Sequence, residues 1–448
     1  MVDHSAKVLV ISTTFPPRGG SSVQRITKFI KYLPNMGYLP VVVTCQESGR
    51  TLNDVSLLAD IPNGTDVYRL PKFFWKNADQ PTPYARPQEP TDANQIRKKT
   101  GLINSIRLTL RRLLFPDEYA FWLLSAVKTG REICRRGSID LLFTSFGSPS
   151  ALFAGYALKK LTGKPWIVDI RDMWSLNPIK GKKGQRPFPI GLLDRFFEPI
   201  LYRAADRIIV VSDHYQKMLI ESFRVKPEKI SIIYNGFDED DFKSISLAVR
   251  RNEKFTIRYV GFLLREQRLD GFLKALDELD RAGAVPKSQI TVEFVGGSEP
   301  DYIERLFKAA GLTDCLSIIG YQSHLRAIEL MASADLLLLV PGTGKGTITG
   351  KFFEYMRSCT PILMLDQENI DARNIITHVP HSCWVPSHDH VAISRVIQKY
   401  YQDFLAKNQR ALNASDLDLL RYKFSRESLT RSLAADLDRC LSKEGGRA

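Results

Sequence analysis

Short apolar runs alternate with amphipathic stretches along most of the chain. Residues 7–12 (KVLVIS) are apolar and rich in β-branched side chains, as a parallel strand buried on both faces requires. The loop TTFPPRGG follows, and Ser21 and Ser22 offer N-caps. Val23, Ile26, Phe29, Ile30 and Leu33 then share one face of a helix that Gly37 ends, and LPVVVT supplies a second strand. The same alternation predicts strands at 141–144, 165–170, 207–211 and 230–234, with helices over 151–160 and from 213. Beyond Phe255 a second series runs through TIRYVG, ITVEFVGG, CLSIIGY, ADLLLLV and TPILML, with helical stretches between. Strand and helix alternating at this spacing predict an α/β protein with two parallel, Rossmann-like sheets.

A length of 448 residues exceeds what one core normally organises. The polar segment 244–254 marks a boundary between an N-terminal domain, 1–243, and a C-terminal domain, 244–422. Residues 423–448 read as a terminal helix that packs back on the first domain. Two inserts interrupt the first half. Residues 71–94 are rich in Pro, Gln, Asn and Asp, as in a surface loop. In RKKTGLINSIRLTLRRLLF, Ile103, Ile106, Leu110, Leu113 and Leu114 form a helical stripe flanked by Arg107 and Arg111, with Arg112 opposite. Such a helix either faces the core with a solvated basic side or lies in an anionic membrane interface, which Lys98 and Lys99 would also meet.

Composition narrows the class. Hydrophobic residues make up 44% and charged residues 25%, the ordinary balance of a soluble globular protein. The opening lacks the features of a secretory leader, and no apolar run approaches the roughly 20 residues that span a bilayer. The six cysteines are scattered without a CxxC pair, which suits reduced thiols in a cytosolic protein. The formal charge of +14 asks for an anionic partner: nucleic acid, a phosphorylated small molecule or an acidic membrane. Nucleic acid is disfavoured, since neither a recognition motif nor an interleaved basic and aromatic stretch is present.

Candidate chemistry sits where strands open into helices. Gly19 and Gly20 precede a helix N-terminus whose free N–H groups favour a phosphate. The loop PGTGKGTITGKFFEYM does not fit GxxxxGK[ST], because Leu339 and Lys345 stand where the earlier glycine is needed, which disfavours an ATPase. It remains a phosphate-type loop, and Glu354, one turn into the next helix, can accept from sugar or ribose hydroxyls or complement the helix dipole. His378, His381, Cys383, His388 and His390 are close in sequence but match no familiar metal spacing, and no metal site is expected.

In order and spacing, KVLVISTTFPPRGG, GKPWIVDIRDMWS, ADRIIVVS, ISIIYNGFD, RYVG, ADLLLLV and GKFFEYMRSCTPIL resemble the family 4 glycosyltransferases of bacterial polysaccharide biosynthesis. The likeness covers nearly the whole chain. It implies the GT-B fold, two facing Rossmann-like domains, retention at the anomeric carbon and no obligatory metal or other cofactor. It also implies a nucleotide-sugar donor, with a UDP-sugar expected over a GDP-sugar, and a saccharide or lipid-linked saccharide acceptor. The expected location is the cytoplasm, with possible peripheral attachment to the inner face of the cytoplasmic membrane. Carried over by position, Gly19 and Gly20 lie near the donor phosphates, Gly320 and Tyr321 meet the base, and Glu354 meets the ribose. Thr347, Thr349, Gly350 and Lys351 belong to the loop on the pyrophosphate and sugar. Asp172 takes the place of the family's strand-end Asp, either orienting a substrate or capping its own turn, and Arg171 stands where the family has His.

Three departures go with this resemblance. Gly346 replaces the first Glu of the Glu-x7-Glu motif. Phe262 and Gln267 occupy the places of a cationic pair, leaving Arg265 and Arg268 as pyrophosphate clamps. Arg171 cannot act as a base. A nucleotide-sugar epimerase of the same fold and a non-catalytic nucleotide-sugar-binding partner are the alternatives.

Overall fold

The computed structural model describes residues 5–46, 54–72, 114–176, 186, 188–243, 245, 252–297, 299–341, 346, 348–408 and 414–445. Contacts divide the chain into one unit of Met1–Ile233 with Thr430–Ala448 and a second of Tyr234–Leu429. Each is a wholly parallel sheet with helices.

In the first unit the strand order is β3-β2-β1-β4-β5-β6-β7. The strands are β1 (Ala6–Ser12), β2 (Tyr38–Cys45), β3 (Asp66–Leu70), β4 (Ile139–Ser145), β5 (Trp166–Ile170), β6 (Arg207–Val210) and β7 (Ile230–Ile232). Val8 to Ile11 are fully buried, as their continuous apolar run predicts. The first helix is Ser21–Tyr32, and its cap is not a serine. Gly20 holds that place with φ 110, a conformation that L side chains rarely adopt, and its carbonyl accepts from Val23 N at 3.0 Å. β3 is the strand that periodicity did not bring out, because it is a half-buried edge with Tyr68 exposed. The terminal segment is tied to this unit by Arg207 Nη2 on Asp436 Oδ1 at 2.8 Å, by Tyr38 on Asp438, and by buried Leu433 and Leu437.

In the second unit the order is β10-β9-β8-β11-β12-β13. These strands are β8 (Phe255–Val260), β9 (Ile290–Val295), β10 (Leu316–Ile319), β11 (Leu336–Leu339), β12 (Ile362–Asp366) and β13 (Cys383–Pro386). Asp335 aligns β11 with β8 by accepting from Thr256 N at 2.8 Å. β13 falls inside the histidine-rich stretch, where the sequence pattern predicted no strand; at four residues and on an edge, it has too little pattern to register. Glu239 takes a bidentate pair from Arg357 at 2.7 and 2.8 Å and a further contact from Arg421. Burial pushes its carboxyl pKa up, but the hydrogen bonds from the two arginines outweigh that and hold it below the ordinary value.

The first unit is built around a fully buried ion pair. Arg25, on the Ser21–Tyr32 helix, places Nε 3.1 Å from both oxygens of Asp169 in β5 and Nη2 2.8 Å from one of them. Nη2 also donates to Ile233 O at 2.9 Å, and Ser145 Oγ donates to Asp169 at 3.4 Å. Removing one member of such a pair strands the other charge. Asp169→Ala is therefore expected to lower the stability of this unit by about 3–5 kcal/mol. Urea unfolding, followed by fluorescence of buried Trp122 and Trp166, measures it; a loss under about 1 kcal/mol would mean that Arg25 finds water instead.

Candidate functional site

A parallel sheet delivers every strand-to-helix loop to its carboxyl edge, and ligands sit where the strand order reverses direction. In the first unit that point lies between β1 and β4. Its edge carries Gly19, Gly20, Arg171 and Asp172. Arg171 is buried, and its Nη2 donates to Phe146 O at 2.9 Å. Burial lowers its pKa from the ordinary guanidinium value, with Asp169 opposing and Arg25 adding to the fall. Asp172 is exposed and, among the described residues, makes no hydrogen bond, so the turn cap considered for it does not form. The chain after it is pinned from below: Glu198 accepts from Trp174 N at 3.2 Å, Ser175 N at 3.1 Å and Tyr202 Oη at 2.8 Å.

In the second unit the order reverses between β8 and β11, and Gln267 joins the two loops there. Its Oε1 accepts from Leu264 N at 2.7 Å while its Nε2 donates to Val340 O. Gln267 is buried, so the place where the family pattern has a cation serves here as a clamp between two backbones. Beneath it, Tyr355 Oη accepts from Val260 N at 2.6 Å, closing the end of β8.

The helix Gly350–Arg357 starts at this point with Thr349 as N-cap. No side-chain cap bond forms, so the Thr349 hydroxyl and the first amides of the helix are left for another acceptor. Lys351 is solvent-exposed in the first turn although protein crowds it; this desolvation lowers its pKa from the ordinary lysine value, with Glu354 opposing. Glu354 is only 8% exposed and, among the described residues, has no hydrogen-bond or ion-pair partner. A buried carboxylate without a partner at a strand switch point is the strongest chemical feature of this unit. Asn235 Nδ2 donates to Ile348 O at 2.8 Å and fixes the approach to the helix. Gly346 has φ 78, which accounts for the absence of Glu there: a side chain would be held in a strained left-handed conformation.

The other positions at this edge are less gathered. Arg265 pairs with Glu299 and lies 5.5 Å over the Tyr302 ring, and Arg268 Nε pairs with Asp270 at 3.0 Å. Both are exposed and engaged with neighbouring acids rather than held over the helix start. Gly320 and Tyr321 are exposed after β10, and Phe262, 55% exposed after β8, adds an aromatic surface. Thr347 and the membrane-contact positions Lys98, Lys99, Ile103, Arg107, Arg111 and Arg112 lie outside the described residues. Among the described residues no group of three or more His, Cys, Asp or Glu is placed to hold a metal; His390, for one, meets Glu278 at 3.3 Å. No helix of the described residues is long and apolar enough to cross a membrane.

Arg25, Asp169 and the clamping role of Gln267 escaped sequence reasoning. The first two had a signal, as a charge beside a helix's apolar stripe and another inside the strand WIVDI; Gln267 had none.

Comparison with known proteins bears on the family. Residues 22–241 match the family Glycosyltransferase Family 4, and residues 241–415 match Glycosyl transferases group 1. The chain belongs to the glycosyltransferases of GT-B type. Both family models are of glycosyltransferases, which supports a transferase. It is 23% identical over 298 residues to an alpha-D-kanosaminyltransferase of Streptomyces kanamyceticus, covering 62% of this chain and 72% of that one. A glycosyltransferase from Rickettsia africae has the same fold at a TM-score of 0.65 and 13% identity, covering 98% of this chain and 99% of that one. HepE of Anabaena, solved in complex with UDP and glucose, superposes at 0.61 and 16% identity, covering 97% of this chain and all (100%) of that one.

The Gln267 clamp carries a prediction. Gln267→Lys restores the cation of the family pattern, but it leaves Leu264 N without an acceptor and buries an ammonium. The expected cost is about 1–3 kcal/mol, read as a fall in melting temperature. A melting temperature that holds or rises would show that the two loops do not depend on the amide.

Proposed function

We propose that this glycosyltransferase takes a sugar from a UDP-sugar and places it, with retention and without a metal ion, on a saccharide or lipid-linked saccharide of a cell-surface polysaccharide. It does so in the cytoplasm, at the inner face of the membrane. The observation that carries the donor assignment is Glu354, an unpartnered carboxylate one turn into a helix whose start is uncapped. Ribose hydroxyls give that carboxylate donors, while the first amides of the helix and Lys351 give the pyrophosphate a positive end. UDP is favoured because HepE, of the same fold, binds it.

In the reaction the bond from the anomeric carbon to the β-phosphate oxygen breaks, and a bond to the acceptor hydroxyl oxygen forms on the same face. The hydroxyl proton passes to an oxygen of the departing phosphate. The protein's task is to stabilise the charge growing on that phosphate, by Lys351, the helix amides and whichever of Arg265 and Arg268 exchanges its acid for the ligand. Arg171 cannot take the proton, which agrees with a base supplied by the leaving group.

A thermal-shift panel of UDP- and GDP-sugars tests this reading. A bound donor at 100 times its Kd stabilises by about 2.7 kcal/mol, and UDP-sugars are expected to produce the shift. Glu354→Ala is expected to melt like the wild type without donor and to bind the donor at least about tenfold more weakly, a loss of about 1.4 kcal/mol. A shift with GDP-sugars alone would reverse the choice of base. Equal donor affinity in the variant would make Glu354 structural.

A further inference from the structure

Three loops meet at the carboxyl edge of the first sheet, after β1, β4 and β5, and bring together hydroxyls that the fold does not use. Thr13 and Thr14 follow β1 and are 0% and 7% exposed. Ser12 fixes their backbone, since its hydroxyl donates to Thr14 O at 2.8 Å and accepts from Thr14 N at 3.3 Å. Neither threonine hydroxyl makes a hydrogen bond among the described residues. Both point at Gly147, which follows β4. A Cβ there would stand 3.3 Å from Thr14 Oγ1, 3.4 Å from Thr13 Oγ1 and 3.7 Å from Arg171 Nη2. Gly147 is exposed, and without a Cβ its backbone lets a ligand come close.

Ser148 comes next, as the N-cap of the helix Pro149–Thr162, yet its side chain makes no cap bond. Other groups serve that helix end. Pro149 has no N–H, Ser150 N donates to Asp117 Oδ2 at 2.8 Å, and Ala151 N donates to Ser148 O at 3.1 Å. The Ser148 hydroxyl, on a residue 5% exposed, is thereby left without a hydrogen bond among the described residues. Buried polar groups are nearly always hydrogen-bonded, so three such hydroxyls in two adjoining loops mark a place that a ligand completes.

Charge narrows the ligand. Of the charged groups that act on Arg171, Arg25 and Asp169 are buried and paired with each other, while Asp172 is exposed, where water screens it. The guanidinium therefore brings positive charge to the space beside Gly147, in a fork that fits a carboxylate or a phosphate. Guanidinium and hydroxyls can all donate, and an oxyanion takes donors only. We propose that this place is a subsite for the anionic group, carboxylate or phosphate, of an acidic sugar, which accepts from Thr13, Thr14 and Ser148 while Arg171 supplies the charge. This deepens the proposed function and rests on its reading that the substrate is a sugar. It makes the saccharide that meets the first unit an acidic one, whether it arrives as the acceptor or as the sugar of the donor.

The test is binding to the full chain, measured by titration calorimetry. Methyl glucuronide and glucose 6-phosphate are compared with methyl glucoside, and UDP-glucuronate with UDP-glucose. In one series an acidic ligand is expected to bind at least about tenfold more tightly than its neutral counterpart, and which series shows this tells acceptor from donor sugar. Gly147→Ala puts a methyl group into the space and is expected to abolish the preference. Thr13→Val with Thr14→Val should weaken the acidic ligand at least about tenfold and melt no lower than the wild type, because it removes hydroxyls that the fold does not pair. Arg171→Gln should abolish the preference and bind neutral ligands as before; the other variants keep Arg171 and carry the test where this one does not fold. Equal binding of acidic and neutral ligands in both series would overturn the proposal, as would a preference that survives Gly147→Ala. So would a lower melting temperature in the valine variant, since the hydroxyls would then serve the fold through an ordered water. UDP-glucose binding, and its loss in Glu354→Ala, report separately on the donor reading, so failure of one leaves the other standing.

Discussion

Every strand in both sheets runs parallel to its neighbours, and that constraint dictates the rest. A parallel pair cannot be closed by a hairpin, so each strand must leave at its carboxyl end, cross over through a helix and return. The loops that result collect on one edge of each sheet. Where the order reverses, between β1 and β4 in one unit and between β8 and β11 in the other, adjacent loops diverge and leave room for a ligand. Arg171 and Asp172, like Gln267 and the Gly350–Arg357 helix, stand at the edges they do because the sheets are parallel.

Such edges are polar places at the end of apolar strands, and each unit resolves the conflict differently. The first uses charge: Arg25 and Asp169 satisfy one another inside the core, with Ile233 O and Ser145 completing the set. The second uses neutral groups, with the Gln267 amide and the Tyr355 hydroxyl serving backbone atoms that strands leave unpaired. Burial pushes the Tyr355 phenol well above its ordinary pKa. Glu354, in contrast, has no hydrogen-bond or ion-pair partner among the described residues, and a group that folding leaves unpartnered is one that a ligand can partner.

The departures from the family pattern acquire physical reasons in this light. Gly346 occupies a backbone conformation that a glutamate would hold only under strain. Gln267 lies where a cation would be buried. Arg171 is packed against Phe146 O in a cluster that already contains Arg25 and Asp169, so the residue there answers to the charge balance of the core.

The sequence by itself determined the two parallel α/β layers, most of their strands, and the helix starts that could hold phosphate. Those features rest on local patterns: continuous apolar runs, a 3.6-residue stripe, and glycines before a helix. Thr349, Gly350, Lys351 and Glu354 were read from the same kind of local pattern, a glycine-rich loop that leaves a strand and opens into a helix. Only the tertiary structure decided what depends on distant partners. It showed that β3 and β13 join their sheets, because an edge strand is fixed by its neighbour more than by its own pattern. It paired Arg25 with Asp169 across 144 positions and set Gln267 between loops 73 positions apart. It also turned Asp194 and Glu198 inward and Leu192 and Phe196 outward, against the simple rule of apolar inside. Arg186 and Tyr202 close in sequence, and the Trp174 and Ser175 amides further off, supply the donors that make burial of those acids possible, and an apolar pattern does not reveal such pairings.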